Sequence, residues 1–243
     1  MITSAITTIT AITAATAAGY QSMSPQGQWW GPTFTGARRG SKQLALTYDD
    51  GPNDPDTLQL LEVLAKHDVR ATFFLLGRHV RMRPDIVREL VKAGHAIGNH
   101  TDTHPLLTFQ PAARIRAQIE ECQKAIAEAT SKTTTLFRPP FGGRRPAVLR
   151  IAREMGLQPV MWTVTGYDWD AKSAESIEER VSQRIRGGDV ILLHDGGHLQ
   201  LGADRSKTVM ATERLLTRYK GQGYEFVTVP EMMASSGAAS LLR

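Results

Sequence analysis

Five short polar clusters, each directly after an apolar strand-like run, hold the residues of this chain that could do chemistry. Asp49 and Asp50 stand in TYDDGP, His100 and His104 in HTDTHP, Arg138 to Phe141 in RPPF, Asp168 and Trp169 in TGYDW, and His194 and Asp195 in LLHD. The runs before them cover 44–48, 96–98, 135–137, 160–164 and 190–193. Two histidines and one carboxylate form a recurring ligand set for a catalytic divalent metal, with one position left for water. Four residues apart, His100 and His104 would share one side of a helical turn, and Pro105 would close that turn. A bare pair at this spacing is a weak signal. It gains weight because Asp49 and Asp50 offer a carboxylate at the mouth of another strand, where Gly51-Pro52 turns the chain. Adjacent carboxylates allow a division of labour, one ligating a cation and the other taking a proton from water. The spacing does not say which does which.

The remaining clusters supply complementary parts. The prolines of RPPFGG fix the chain and leave the Phe141 N–H free to point into a pocket. There it could bind a developing oxyanion, for which a prearranged donor is worth about 3 kcal/mol. Arg138 could hold a carboxylate through a bidentate pair. His194 could act as a general acid if a carboxylate keeps it protonated and oriented. Asp168 is the candidate carboxylate, and Trp169 an apolar wall beside it. Each cluster alone also has a plain reading as a solvated turn, a surface arginine or a structural histidine. Five of them in register after five strands make coincidence a poor account.

Something must bring together residues spread over about 145 positions, and the element pattern provides it. Strands are expected at 43–48, 69–76, 96–98, 135–137, 158–164, 189–193 and 224–228. Helices are expected at 55–67, 84–93, 112–129, 146–155, 174–186 and 207–220. Alternation of this kind predicts an α/β fold with a parallel sheet and helical crossovers. The loops at the carboxyl ends of such strands share one face, where active sites are built.

At 243 residues, one such domain over 41–235 accounts for the chain, flanked by a tail or linker at 1–40 and a short tail at 236–243. Residues 1–18 are almost all Ile, Ala, Thr and Ser, and the first charge is Arg38. Ala15-Thr16-Ala17 has the form of a signal-peptide cleavage element, but the basic start is missing. A degenerate or truncated export signal and an unstructured tail are both consistent with this, and either lies outside the fold. An export signal would place the protein outside the cytoplasm or in the cell envelope. The threonines make a poor membrane span. Residues 19–40 have a linker's composition, and Trp29-Trp30 within them is expected to plug the core edge.

The net charge is +5, yet Lys and Arg are dispersed without interleaved aromatics, which argues against a nucleic-acid partner. No G-x-G-x-x-G or Walker A motif supports nucleotide binding. Cys122 is the only cysteine, which excludes intramolecular disulfides and a Cys-rich zinc site. It falls in the helix expected at 112–129, where it reads as a small buried residue.

These five clusters, in this order, resemble the motifs of the polysaccharide deacetylase family, the NodB homology domain of carbohydrate esterase family 4. The resemblance spans about residues 42 to 230. TYDDGP is similar to that family's TFDDGP, with Tyr48 for Phe. HTDTH matches H-[ST]-x-x-H, RPPF matches R-x-P-Y with Phe141 for Tyr, and LLHD matches the fifth motif. TGYDW departs from D-x-x-D-W at Thr165, which puts one supporting contact in doubt.

The resemblance implies a distorted (β/α) barrel with about seven parallel strands. It implies that Asp50, His100 and His104 bind one divalent metal, zinc first, with Co2+, Ni2+ or Mn2+ as alternatives. It further implies that Asp49 is the general base, oriented by Arg138. The Phe141 amide would stabilise the oxyanion, which tolerates Phe for Tyr because the donor is backbone. His194 would protonate the leaving amine, tuned by Asp168, and Leu192 or Leu193 with Trp169 would line the acetyl pocket. The expected activity is removal of acetate from an N-acetylglucosamine polymer or oligomer such as peptidoglycan or chitin, by a monomer. O-deacetylation of acetylxylan, or hydrolysis of a non-sugar amide at the same site, is the alternative. A binding protein without catalysis would be expected to lack Asp49, a ligand or His194, and none is lacking. Arg144, Arg145 and the loop 196–206, with His198, Asp204 and Arg205, are placed where they could meet substrate.

Overall fold

The apolar runs form a parallel sheet whose two faces follow from alternation along each strand. The computed structural model describes residues 16–237. Its strands are β1 (Gln43–Asp49), β2 (Thr72–Leu75), β3 (Ala96–Asn99), β4 (Leu136–Phe137), β5 (Gln158–Pro159), β6 (Val164–Thr165), β7 (Asp189–His194) and β8 (Glu225–Phe226). The order β5-β4-β3-β2-β1-β7-β6 runs along one path, with β8 pairing beside it on β1. All these pairings are parallel.

The helices are α1 (16–23), α2 (Asp56–Lys66), α3 (Gly77–Met82), α4 (Pro84–Lys92), α5 (Ala112–Thr130), α6 (Pro146–Glu154), α7 (Ala174–Ser182), α8 (Ser206–Gly221) and α9 (Val229–Ser235); α9 packs Val229, Met232 and Met233 on the inner side of the sheet. On β1, Leu44, Leu46 and Tyr48 face helices of the larger core cluster. Ala45 faces inward with Phe74, Leu136, Val160 and Val190. By alternation Thr47 and Asp49 continue the inward row of Ala45. The Tyr48 hydroxyl, buried among helices, shares a 2.8 Å hydrogen bond with Thr212 Oγ1, which accommodates the polar atom that Phe would lack.

The run expected as one strand over 158–164 is instead two. β5 pairs with β4 at one edge of the sheet and β6 pairs with β7 at the other. Only residues 160–163 join them, and a chain this short reaches roughly 17 Å at most. The two edges must therefore approach each other, so the sheet curls into a distorted α/β barrel.

Residues 19–40, expected as a linker, help to close that curl. Phe34 N donates to Pro159 O (2.9 Å) and Phe34 O accepts from Met161 N (2.7 Å), while Ala37 N donates to Gly188 O (2.8 Å). Phe34 itself is buried in the inner core. Composition misleads here because the segment is held by backbone pairing, which small polar residues permit. The tryptophan pair does not plug the core: Trp29 is 61% exposed, and half-buried Trp30 donates its indole N–H to Ser22 Oγ at 3.0 Å. Residues 1–15 of the signal-like segment expected over 1–18, and 238–243 of the tail expected over 236–243, lie outside the described residues.

Candidate active site

Strand parity decides what reaches the barrel mouth. On β1, Asp49 follows Ala45 and Thr47 along the inward row. Its Oδ1 accepts from Arg138 Nη1 at 2.7 Å. Arg138, at the end of β4, is fully buried. It lies over the Phe74 ring at 4.0 Å and also donates to Thr47 Oγ1 (2.8 Å), Val160 O (3.3 Å) and Met161 O (3.2 Å). Four acceptors and a ring thus share one buried charge, and Asp49 Oδ2 remains free of the pair.

Asp50 turns the other way through a left-handed backbone, with φ of 74°. A side chain at Gly51 would overlap the Asp195 carboxylate. Asp195 itself accepts from Thr57 Oγ1 at 2.6 Å. Burial, with the charges of Asp50 and Asp49 adding to it, pushes the Asp195 pKa up to about 7.

The two histidines converge, but not on a helix. The chain after β3 turns through left-handed residues at Thr101 (φ 72°) and His104 (φ 62°). Asn99 Oδ1 holds Thr101 N at 2.9 Å and Thr101 Oγ1 holds His104 N at 3.1 Å. His100 Nδ1 donates to Arg138 O at 2.7 Å, which leaves its Nε2 lone pair facing the carboxylates. Asp50 Oδ1 lies 3.6 Å from His100 Nε2 and 3.4 Å from His104 Nε2.

Donors around a tetrahedral zinc, with bonds of about 2.0–2.1 Å, are separated by about 3.3–3.4 Å. The cradle therefore fits a divalent cation. Asp50 Oδ1 is buried without a hydrogen-bond partner, as a ligand atom awaiting an ion would be. Burial raises the Asp50 carboxyl, but His198, His104 and His100 around it outweigh this and hold it below the ordinary carboxylate range. Burial pulls His104 down to about 2, so its imidazole is neutral and able to ligate.

His194, at the end of β7, donates from Nδ1 to Asp168 Oδ1 at 2.9 Å, and its backbone N–H donates to Asp168 Oδ2 at 2.7 Å. Thr208 Oγ1 gives Oδ2 a further bond at 2.9 Å. Burial pulls the imidazole down, yet the Asp168 carboxylate wins and raises its pKa to about 9. Trp169 stands edge-on to His194 with centroids 5.1 Å apart.

A cavity of about 350 Å³ opens onto Asp49, Asp50, His100, His104 and His194, walled by Phe141, Trp169 and Leu192. Phe141 has a left-handed φ of 57°, and no group among the described residues accepts its backbone N–H.

The profile of the polysaccharide deacetylase family matches residues 36–160. A peptidoglycan-N-acetylglucosamine deacetylase of Bacillus cereus is 39% identical over 194 residues, which cover 79% of this chain and 88% of that protein. The chain belongs to the polysaccharide deacetylase family. A chitooligosaccharide deacetylase of Rhizobium leguminosarum bv. trifolii is 35% identical over 82% of this chain and 95% of its own length. The crystal structure of the Bc1960 peptidoglycan N-acetylglucosamine deacetylase superposes with a TM-score of 0.76 at 34% identity, covering 82% of this chain and 92% of that one.

Within this deacetylase, some residues singled out in the sequence sit elsewhere. Leu193 faces the helices in the outer core, while Leu192 shares the inward face with His194. Arg144 is buried and donates to Gly142 O, Ser24 O and Gly27 O, so it pins the N-terminal segment. Arg145 donates to Gln110 O, and Asp204 accepts from Ser206 N. Thr165 Oγ1 accepts from Tyr167 N at 3.3 Å and takes no part in the His194–Asp168 pair. One wall residue had no motif to announce it: Trp162, on the link between β5 and β6. Thr47, the first residue of TYDDGP, steadies Arg138.

Proposed function

We propose that this polysaccharide deacetylase hydrolyses the N-acetyl groups of N-acetylglucosamine units in a polymer or oligomer, giving acetate and a free amine. The observation that carries the reading is one cavity holding two differently tuned proton carriers, Asp49 on Arg138 and His194 on Asp168, beside a cation cradle. Asp50, His100 and His104 hold one divalent cation, zinc by its preference for nitrogen and carboxylate donors in a tetrahedral set. When bound, the cation polarises the acetyl carbonyl and makes water more acidic.

Asp49, fixed through Oδ1, uses Oδ2 to take the proton from the water that attacks the acetyl carbon. The Phe141 N–H donates to the oxygen that gains charge in that addition. His194 gives a proton to the departing nitrogen as the carbon–nitrogen bond breaks. Leu192, Trp169 and the Phe141 ring shape a pocket for a methyl group and exclude bulk water. Work on a wall polymer places the protein outside the cytoplasm. Among the described residues no helix is long and apolar enough to cross a membrane.

Acetate release decides the reading. Oligomers of N-acetylglucosamine and acetylated peptidoglycan are expected to yield acetate, the yield falling to background with chelator and returning with zinc. Turnover of acetylxylan alone would replace amide by ester hydrolysis, and chelator-resistant release would remove the cation from the reaction.

The His194–Asp168 pair sets a pH dependence. The acid must be protonated, so it is competent below its pKa and lost above it. The alkaline limb of kcat is therefore expected at or below pH 9, since a nearby cation lowers the value of about 9 that Asp168 sustains. Asp168→Asn removes the raising charge and moves the limb toward the ordinary imidazole value near 6.5. An unmoved limb in that variant, measured as kcat from pH 6 to 10, would take the proton-donor role from His194.

A further inference from the structure

The loop 195–205 between β7 and α8 is tied at both ends. Arg205 Nε donates to Gly196 O at 2.7 Å, and Arg205 N donates to Asp56 Oδ2 at 3.0 Å. Buried Asn53 accepts from Gly202 N at 2.6 Å and donates to Ala203 O at 2.9 Å. At the crest, the Arg78 guanidinium donates to the His198 carbonyl. The backbone of His198 is thus placed from several sides, while the polar neighbour of its imidazole is the Asp50 carboxylate.

That imidazole lies over the cation cradle. It stacks on the His104 ring with centroids 4.5 Å apart and planes 25° apart, and meets Phe141 edge-on at 5.4 Å. Its Nδ1 is 3.7 Å from Asp50 Oδ2, the second oxygen of the carboxylate whose Oδ1 faces His100 and His104. This separation is close to the 3.4 and 3.6 Å seen among the other donors. The three mutually close donors are Asp50, His100 and His104; His198 meets that set at Asp50 Oδ2, and a shift of its ring would carry the nitrogen toward the position a catalytic site leaves open. Placement on a loop, with the side chain 37% exposed, lets the ring leave when an acetyl group enters.

We propose that His198 is a fourth protein donor to the cation, closing its open position while no substrate is bound; this rests on the cation site of the functional reading above. The alternative is that His198 serves only as a flat wall over His104, and two substitutions separate the cases. His198→Phe keeps a ring to stack but has no donor, and His198→Ala has neither.

Zinc affinity measured by chelator competition is expected to fall about tenfold or more in both variants, a fall that an outer-shell partner of Asp50 would also give, so the Co2+ bands carry the distinction. The visible bands of the Co2+-loaded protein are expected to change in both. Melting of the metal-free variants is expected to match wild type, since the loop's ties do not use this side chain. An unchanged Co2+ spectrum in His198→Phe would overturn the proposal, leaving a stacking role at wild-type affinity and an outer-shell partner of Asp50 at lower affinity. No metal binding by the unaltered protein would overturn both readings. Weakened binding and changed Co2+ bands in the variants of a protein that releases no acetate would keep His198 as a donor and remove only the deacetylase chemistry.

Discussion

Asp49→Asn is expected to lower kcat by about 10²- to 10⁴-fold, the range that a positioned general base contributes. The substitution keeps shape and an acceptor oxygen for Arg138, which reaches Oδ1 at 2.7 Å. What it removes is the capacity to accept a proton at Oδ2. Asp50 cannot substitute, because its Oδ1 faces His100 and His104. His194 cannot either, since with a pKa of about 9 it is already protonated at neutral pH. Zinc content should stay at the wild-type level, which distinguishes loss of the base from loss of a ligand. In His100→Ala or His104→Ala, activity and metal are expected to fall together. Acetate release at saturating substrate, with metal quantified in the same samples, checks both. A kcat within threefold of wild type would transfer the base role elsewhere.

Much of this site was legible because strand parity and loop position are properties of sequence. Five polar clusters after five apolar runs could share a pocket only if the strands were parallel, and they are. Parity had more to give. His194 lies two residues after Leu192 and one after Leu193, so alternation alone puts Leu192 beside it and Leu193 among the helices.

Other features were not legible for physical reasons. The His100–His104 spacing suggests a helical turn, but the pair converges through left-handed residues at Thr101 and His104 that no propensity favours. The continuous apolar run over 158–164 gives no sign that it changes edges of the sheet, since both halves are buried. Residues 19–40 carry few apolar side chains because backbone pairing and the Arg144 guanidinium hold them. The helix α9 did leave a mark, the capping box of Thr228 and Glu231, which the expectation of a strand over 224–228 obscured.

Arg138→Met is expected to cost about 3–5 kcal/mol of folding stability as well as activity, the penalty for leaving one member of a buried ion pair without its partner. Burial works against the Arg138 charge, and Asp49 is the group that answers it. Methionine fills much of the volume but leaves a buried carboxylate uncompensated. It also releases the Val160 and Met161 carbonyls on the short link that closes the barrel between β5 and β6. The double variant Asp49→Asn/Arg138→Met removes the stranded charge and should therefore be more stable than Arg138→Met alone, while remaining inactive. Urea unfolding of the four proteins measures the coupling. If Asp49 is the counter-charge, the two single costs exceed the double cost by clearly more than about 0.5 kcal/mol, the limit for independent sites. Additive costs would mean that Arg138 stabilises the barrel through the carbonyls and the Phe74 ring, and that Asp49 is held in its catalytic position by something else. On the proposed reading the pair ties closure of the sheet to orientation of the base: the Arg138 guanidinium that bonds the Val160 and Met161 carbonyls also holds Asp49 Oδ1.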